Sequence, residues 1–424
     1  MKENMLEKVL RISIAFSKER DRKRLLEQLL SALMDITNCE SGVVYIKNEK
    51  SMECGEAQSS NHSKLEIPLE DDRENILGMV RLMNARDEAG KPSDFPTEQE
   101  AVCVSLASQA AICLANINYA QQIREMLDSY VKVMSTAIDA RTPYNANHTK
   151  NMVNYAKRFI AWLKENHGVW GFDEQKIQAF LMCVWLHDIG KLVTPLEIMD
   201  KQDRLAHNYV KVMDRFEKIR LLTRIAYLEG KLSADDAKQR MGQIADAKEL
   251  VEQVNTIGYL TEELAAKVEV LATYTYEEED GSRVSWITTE EKEQLLIRKG
   301  TLTQTERRVM QEHVEMTRVM LEQMTFGDDY KEVLIWAPQH HELLNGTGYP
   351  LGRKGEEICF EVRLLTILDM FEAMTALDRP YKQPVRVEHA LQILHEMADE
   401  GAIDADILNL FEQSRAWEEP MATE

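Results

Sequence analysis

The sequence predicts a multidomain chain. An N-terminal α/β domain over residues 1–120 leads into a long connecting helix over 97–138, and a C-terminal all-α domain over 130–413 carries a helical insertion at 200–288. Three observations predict this. Strand-like apolar runs are confined to residues 41–83. An apolar repeat of alternating four- and three-residue steps runs through 106–138 with no proline in it. Beyond that repeat, apolar residues recur at helical spacing.

Composition narrows the function classes. A chain of 424 residues, 44% apolar, has enough material for two or three packed cores. It contains no run of about eighteen apolar residues, so no membrane span is expected. The opening residues mix lysine and glutamate with apolar side chains, unlike a signal peptide. A formal charge of −21 argues against a nucleic-acid backbone as partner. A small anionic ligand held by a few local cations stays compatible with it. The six cysteines show no CxxC spacing and read as reduced thiols of a cytoplasmic protein, with zinc or disulfide roles the minor alternative.

In chain order, residues 3–36 predict two helices. Leu6, Val9, Leu10 and Ile14 share one face of the first, and Leu25, Leu26, Leu29, Leu30 and Leu33 share one of the second. Residues 41–47 (SGVVYIK), 65–69 (LEIPL) and 76–83 (ILGMVRLM) predict strands. Thr97, with Glu100 three residues on, reads as the N-cap of a long helix. Along it Leu106, Ala110, Cys113, Ile117, Ala120, Leu127, Val131, Met134 and Ile138 keep a 3.5-residue period, interrupted at Arg124. Such a period makes the seam of a coiled coil, here read as a parallel dimer stalk. The alternative is a helix lying on its own domain's core.

The order of elements up to residue 120 resembles a GAF domain, with a "PL…GMVRLMN" hairpin and a helix in "FPTEQEAVCVSLASQAAICLAN". The stretch between Lys47 and Lys64 is too short to cover a ligand pocket. The reading is therefore a shrunken GAF-like domain used for dimerisation, and a small-molecule sensor is the alternative.

Chemistry concentrates farther on. His340 and His341 are adjacent, about 100° apart on a helix, so both reach one metal only from a helix end or a tight loop. Gly346, Gly348 and Pro350 then force a turn that lifts Tyr349 out. His187-Asp188-Ile189-Gly190-Lys191 sets a second histidine–carboxylate pair beside a lysine. Asp369 lies alone in an apolar run. Imidazole and carboxylate ligands spread over several segments read as a metal site that the fold assembles. Thr303 and Glu306 form a capping-box pair ahead of His313.

These motifs resemble the HD-GYP family of metal-dependent phosphodiesterases. The family's HDxGK stands at residues 187–191, its HHExxxGxGYP at 340–350, and its aspartate helix ending in RPY at 369–381. The family's opening EARDPYTxGH is matched around His148, with Asp139 for glutamate and Thr142 for aspartate. Tyr144 stands where three-metal members carry glutamate. The family's HPxxG is His-Val-Glu-Met-Thr at 313–317. The segment 200–288 is extra, and reads as a helical hairpin or lid over the site.

The resemblance implies two divalent cations, iron or manganese. His187, Asp188 and Asp369 would hold one, and Asp188, His313, His340 and His341 the other, with Asp188 bridging. His148 would be a distant ligand or a substrate contact. Asp188 and Lys191 would serve the chemistry, Lys191 by steadying the phosphate or protonating the leaving 3′ oxygen. Gly346, Gly348, Tyr349, Arg379 and Lys382 would meet the substrate, and the GYP loop could also face a protein partner. The implied reaction is hydrolysis of a cyclic dinucleotide, cyclic di-GMP first, to linear pGpG or GMP, in a cytoplasmic homodimer. A non-catalytic receptor signalling through protein contacts is the competing class. Catalysis on another cyclic nucleotide is the third reading.

Overall fold

The computed structural model describes residues 5–47, 52–54 (backbone only), 63–87, 89–141, 147–168, 173–278, 280–376 and 385–418. They fall into two compact units, Met1–Ser129 and Tyr130–Glu424. Thr142, Tyr144, Arg379, Lys382 and the acidic tail from 419 lie outside the described residues.

In the first unit, α1 (Met5–Lys18) and α2 (Arg22–Thr37) precede a four-stranded antiparallel sheet. Its strands are β1 (Cys39–Ile46), β2 (Met52–Cys54), β3 (Lys64–Glu70) and β4 (Ile76–Ala85), in the order β2-β1-β4-β3. The short β2 is a strand that the apolar pattern did not announce. Asp21 caps α2 by accepting the Arg24 amide at 2.8 Å, and Asn38 ends it with φ 49°. Along β3, Leu65, Ile67 and Leu69 are buried while Lys64, Glu66 and Pro68 are exposed, the two-residue alternation of a sheet with one covered face. They pack with Leu25, Leu29 and Leu33 of α2.

The α1 face differs from the expected one. Phe16 is buried, and Val9 and Ile12 pack against the core, whereas Leu6, Leu10 and Ile14 are exposed. The helix carries two apolar rows, and periodicity alone does not say which one a neighbour covers.

Helix α3 runs unbroken from Thr97 to Asp139. The Glu100 amide donates to the Pro96 carbonyl at 3.0 Å, so Thr97 sits inside the helix instead of capping it. The repeat does not make one continuous free seam. Leu106 and Ala110 are buried in the first unit's core, Val131 and Ile138 are buried, and Ala120 is exposed. The exposed apolar row is a different one: Ile123, Met126, Tyr130 and Val133, each more than 60% exposed. By length and composition α3 could cross a membrane, contrary to expectation. Its Cys103, Leu106, Ala107, Ala110, Ala111 and Leu114 build the first unit's core, as a helix at the centre of a domain does.

The second unit is almost wholly helical. Helix α4 (His148–His167) is followed by α5 (Glu174–Leu186), a 3-10 turn (Ile189–Val193) and the single turn α6 (Leu196–Met199). Asp173 caps α5 through the Lys176 amide at 2.7 Å. Helix α5 is not amphipathic: Ile177 and all of residues 179–184 are buried, so it runs through the interior. After α6 come α7 (Asn208–Leu228), α8 (Ala234–Thr256), α9 (Glu262–Leu271), the hairpin β5 (Thr275–Glu277) and β6 (Arg283–Ser285), and α10 (Thr289–Leu295).

These elements close on a core of their own, including Val212, Phe216, Ile219, Val251, Val268 and Trp286. Arg204 is fully buried where this subdomain begins. Its guanidinium donates to the carbonyls of Val254 at 2.6 Å, Ile297 at 3.2 Å and Ile257, tying the subdomain's first residues to its last. Lys201 pairs with Glu306 at 2.8 Å, and the Thr301 hydroxyl donates to the Lys201 carbonyl at 3.0 Å, so both ends of the segment meet at one point.

The chain resumes with α11 (Gln304–Gln311), α12 (His313–Leu321), α13 (Val333–Trp336), α14 (Phe360–Thr375), α15 (Val387–Asp399) and α16 (Ala405–Ser414). The capping box of Thr303 and Glu306 starts α11, and His313 opens the helix after it. In α14, Val362, Leu364, Leu365, Leu368 and Phe371 are fully buried. Phe371 stacks edge-on with Phe411 of α16 at 5.2 Å, and Phe411 with Phe159 of α4 at 5.9 Å. This packing brings the first turn of α4 and the C-terminal half of α14 to the same place.

Candidate metal centre

Three histidines are aimed by one device. The Nδ1 of His187, His313 and His340 each lies 2.7 Å from a backbone carbonyl three residues earlier, that of Val184, Met310 and Ala337. A carbonyl only accepts, so each Nδ1 carries the proton and each Nε2 offers its lone pair to the interior. All three side chains are buried. The Nε2 atoms of His313 and His340 come within 3.4 Å of each other. His341 follows in the turn, its ring 4.1 Å from that of His340, with Nδ1 3.7 Å from Asp369 Oδ2. The two adjacent imidazoles meet because a 3-10 turn, Ala337–Gln339, ends at them.

Asp188 lies at the middle. Its Oδ1 is 3.4 Å from His313 Nε2 and 3.7 Å from His340 Nε2. Its Oδ2 is 3.2 Å from His187 Nε2, 3.8 Å from His148 Nε2 and 2.5 Å from Lys191 Nζ. One carboxylate thus turns an oxygen to each side of the cluster. His148, first residue of α4, joins directly: its Nε2 is 3.4 Å from Asp369 Oδ1. Three overlapping ligand groups result: His313, His340 and His341; His148, His187 and Asp369; and His187, Asp188 and His340. His148 therefore stands among the clustered ligands, not at a distance from them.

Gly190 is set by packing. A Cβ there would fall 1.9 Å from the His313 carbonyl oxygen and 2.5 Å from the Thr317 amide. Only glycine lets the HDIGK turn lie against α12. The Thr317 hydroxyl locks the contact, donating to the His187 carbonyl and accepting the Gly190 amide, both at 3.0 Å.

The GYP loop is held from beneath. Buried Glu342 accepts the amides of Leu351 at 2.6 Å and Arg353 at 2.9 Å. Tyr349 donates its amide to the His341 carbonyl at 3.1 Å and lays its ring 4.7 Å from the His341 ring. A Cβ on Gly348 would strike the Leu343 amide at 2.3 Å, and Gly346 adopts φ +80°. Both glycines therefore answer to the loop's own backbone. Glu342 and Glu372 are the residues that sequence reading missed. The signal for Glu372 was present, since it lies one helical turn beyond Asp369 on α14.

The electrostatics suit cations. Burial lowers the basicity of His313 and His340, and takes His341 down to about 4, so these three rings are neutral. Burial works against ionised Asp188 and Asp369. Lys191 and His187 outweigh it at Asp188, and His148 and His341 at Asp369, holding both carboxyls well below the usual range. Burial also opposes a charged His148, and the Asp369 and Glu372 carboxylates overcome it, taking its pKa up to about 10. Among the described residues, three buried atoms of this cluster have no hydrogen-bond partner: His148 Nε2, His187 Nε2 and Asp188 Oδ1. Buried polar atoms left unpaired and converging are costly, and a divalent cation taking the place of the His148 Nε2 proton satisfies them, so the residues fit a metal site. No residue of 200–288 enters this cluster among the described residues.

Residues 290–407 match the HD domain family. That stretch contains His313, His340, His341 and Asp369; His148, His187 and Asp188 lie ahead of it, beyond the inserted subdomain. The chain is 36% identical over 102 residues to the 3′3′-cGAMP-specific phosphodiesterase 3 of Vibrio cholerae, covering 24% of this chain and 21% of that protein. It is 33% identical over 118 residues to phosphodiesterase 1 of the same specificity and organism, covering 28% and 26%. It is 31% identical over 118 residues to the cyclic di-GMP phosphodiesterase response regulator RpfG of Xanthomonas campestris, covering 26% and 30%. The chain thus spans less than a third of the length of each. Residues 290–407 are thus similar to HD domains, the relatives that the chain resembles are named cyclic-dinucleotide phosphodiesterases, and the HDIGK and HHE…GYP segments are built into one ligand cluster.

Proposed function

We propose that the C-terminal unit hydrolyses a phosphodiester bond of a cyclic dinucleotide, with cyclic di-GMP as substrate and linear pGpG or GMP as product. The observation that carries this reading is the convergence of four buried histidine Nε2 atoms on the two oxygens of Asp188, those of His313 and His340 on one and those of His148 and His187 on the other. His313, His340 and His341 would hold one cation, iron or manganese, and His148, His187 and Asp369 a second, with Asp188 between them. When bound, such cations supply a nucleophile at neutral pH and neutralise charge developing on the phosphate.

The chain's own groups do the rest. Lys191, 2.5 Å from Asp188 Oδ2 and partly exposed, stands where it can hold a phosphate oxygen or protonate the leaving 3′ oxygen. Tyr349, fixed over His341, offers a face on which a base can stack. The exposed row Ile123, Met126, Tyr130 and Val133 on α3 supports a homodimer through that helix, with the first unit as a GAF-like dimerisation domain.

Manganese-loaded full-length protein incubated with cyclic di-GMP, and separately with 3′3′-cGAMP, tests this, with products identified by mass spectrometry. Linear product from cyclic di-GMP supports the reading, and product from 3′3′-cGAMP alone reassigns the substrate. Binding of either dinucleotide without turnover would show a receptor instead.

A further inference from the structure

Three of the clustered imidazoles are oriented by the carbonyl one turn earlier. His148, the first residue of α4, is aimed differently. Its Nδ1 is paired instead with Glu372 Oε2, across the fold on α14. Glu372 is 1% exposed, and its other oxygen accepts the Asn151 side-chain amide at 3.0 Å. Asn151 lies three residues beyond His148, on the same helix. The Glu372 carboxylate therefore grips the first turn of α4 at two points. Gripped there, the His148 ring presents Nε2, unpaired and buried, to Asp369 Oδ1 at 3.4 Å. Asp369 stands one turn before Glu372 on α14, so a single helix supplies both a ligand and the carboxylate that aims another.

We infer that Glu372 is the positioning residue of His148, and that it sets the affinity of the cation position formed by His148, His187 and Asp369. This rests on reading the cluster as a metal site. A carboxylate behind a ligating imidazole fixes the ring's orientation and makes the opposite nitrogen a better donor. Nothing equivalent stands behind His187, His313 or His340, where a backbone carbonyl does the aiming. Glu372 consequently acts on one of the two positions and leaves the other to backbone geometry.

The test is a double-mutant cycle read by manganese(II) binding to the full chain, using equilibrium dialysis and elemental analysis. Glu372→Ala weakens one of two binding positions by roughly 10–100-fold and leaves the other unchanged. Glu372→Gln, whose amide oxygen still accepts the Nδ1 proton, restores part of the loss. In a His148→Ala background, Glu372→Ala has no further effect, because the group it aims is gone. A merely structural role would instead add to the His148→Ala loss, and that additivity overturns the inference. So does a wild-type isotherm for Glu372→Ala. If Glu372→Ala does not fold by circular dichroism, Glu372→Gln takes its place in the cycle. Absence of manganese binding by the wild-type protein would remove the metal reading itself, and this inference with it.

Discussion

Arg141 clamps the loop that carries Lys191. Its Nη2 donates to the Thr194 carbonyl at 3.0 Å, and its Nη1 to the carbonyl of Lys191 itself. Arg141 lies just past the end of α3, and the Asp139 carboxylate near that end accepts the hydroxyl of Thr149, the neighbour of His148, at 3.2 Å. The end of the long helix is therefore bonded to two of the segments that build the candidate metal centre.

Removing the clamp should cost rate more than folding. Arg141→Ala removes both bonds to the Lys191 and Thr194 carbonyls and lets the 191–194 loop shift, so Lys191 loses its fixed place beside Asp188. Turnover should fall by roughly 10–100-fold, since displacements of about 1 Å carry penalties of that size. Steady-state kinetics alongside metal analysis checks it: unchanged metal content with lower kcat is expected. Arg141→Lys should recover little, because an ammonium does not span two carbonyls as a guanidinium fork does.

Gly190→Ala should be among the most damaging small substitutions in the chain. The new methyl would meet backbone atoms at 1.9 and 2.5 Å, which cannot swing aside as a side chain can. Overpacking of this kind costs about 3 kcal/mol. Urea denaturation of the metal-free protein measures it, and a midpoint equal to that of wild type would contradict the packing described.

Asp188 and Lys191 should separate metal binding from chemistry. Asp188→Ala removes the carboxylate with an oxygen on each side of the cluster, so elemental analysis should show metal lost from both positions. Lys191→Ala should retain metal and lose rate, by roughly 100-fold if the lysine transfers a proton. Full metal content in Asp188→Ala would show that this carboxylate does not bridge.

Asp139 gives a pH dependence with a definite sign. Burial raises its carboxyl pKa to about 6, against an ordinary value of 3.8. Between those values the folded protein holds a proton that the unfolded chain has released. The contribution to stability is therefore fully present below the ordinary value and is lost as pH rises toward 6. Asp139→Asn removes this loss. Urea midpoints of metal-free protein at pH 4 and pH 7 should show the variant gaining on wild type at the higher pH. A difference independent of pH would contradict the raised pKa.

The sequence by itself singled out the candidate ligands. His187, Asp188, His313, His340, His341 and Asp369 stand in short motifs whose residue types restrict the chemistry wherever they fold. It also determined the capping box at Thr303, because a cap and its helix are neighbours in the chain. Tertiary structure decided what depends on distant partners. The row of α1 that is buried, the partition of α3 into two buried ends and a different exposed row, and the β5–β6 hairpin follow from which surfaces meet, and a periodic pattern offers more than one face. Gly348 answers to the backbone of its own loop, whereas Gly190 is required by the backbone of α12, more than 120 residues farther along the chain. Glu372 and His148 are far apart in the chain, and only the packing of α4 on α14 makes them a pair. A motif names the atoms that can bind a metal; the hydrogen bond behind each one, which fixes where its lone pair points, belongs to the fold.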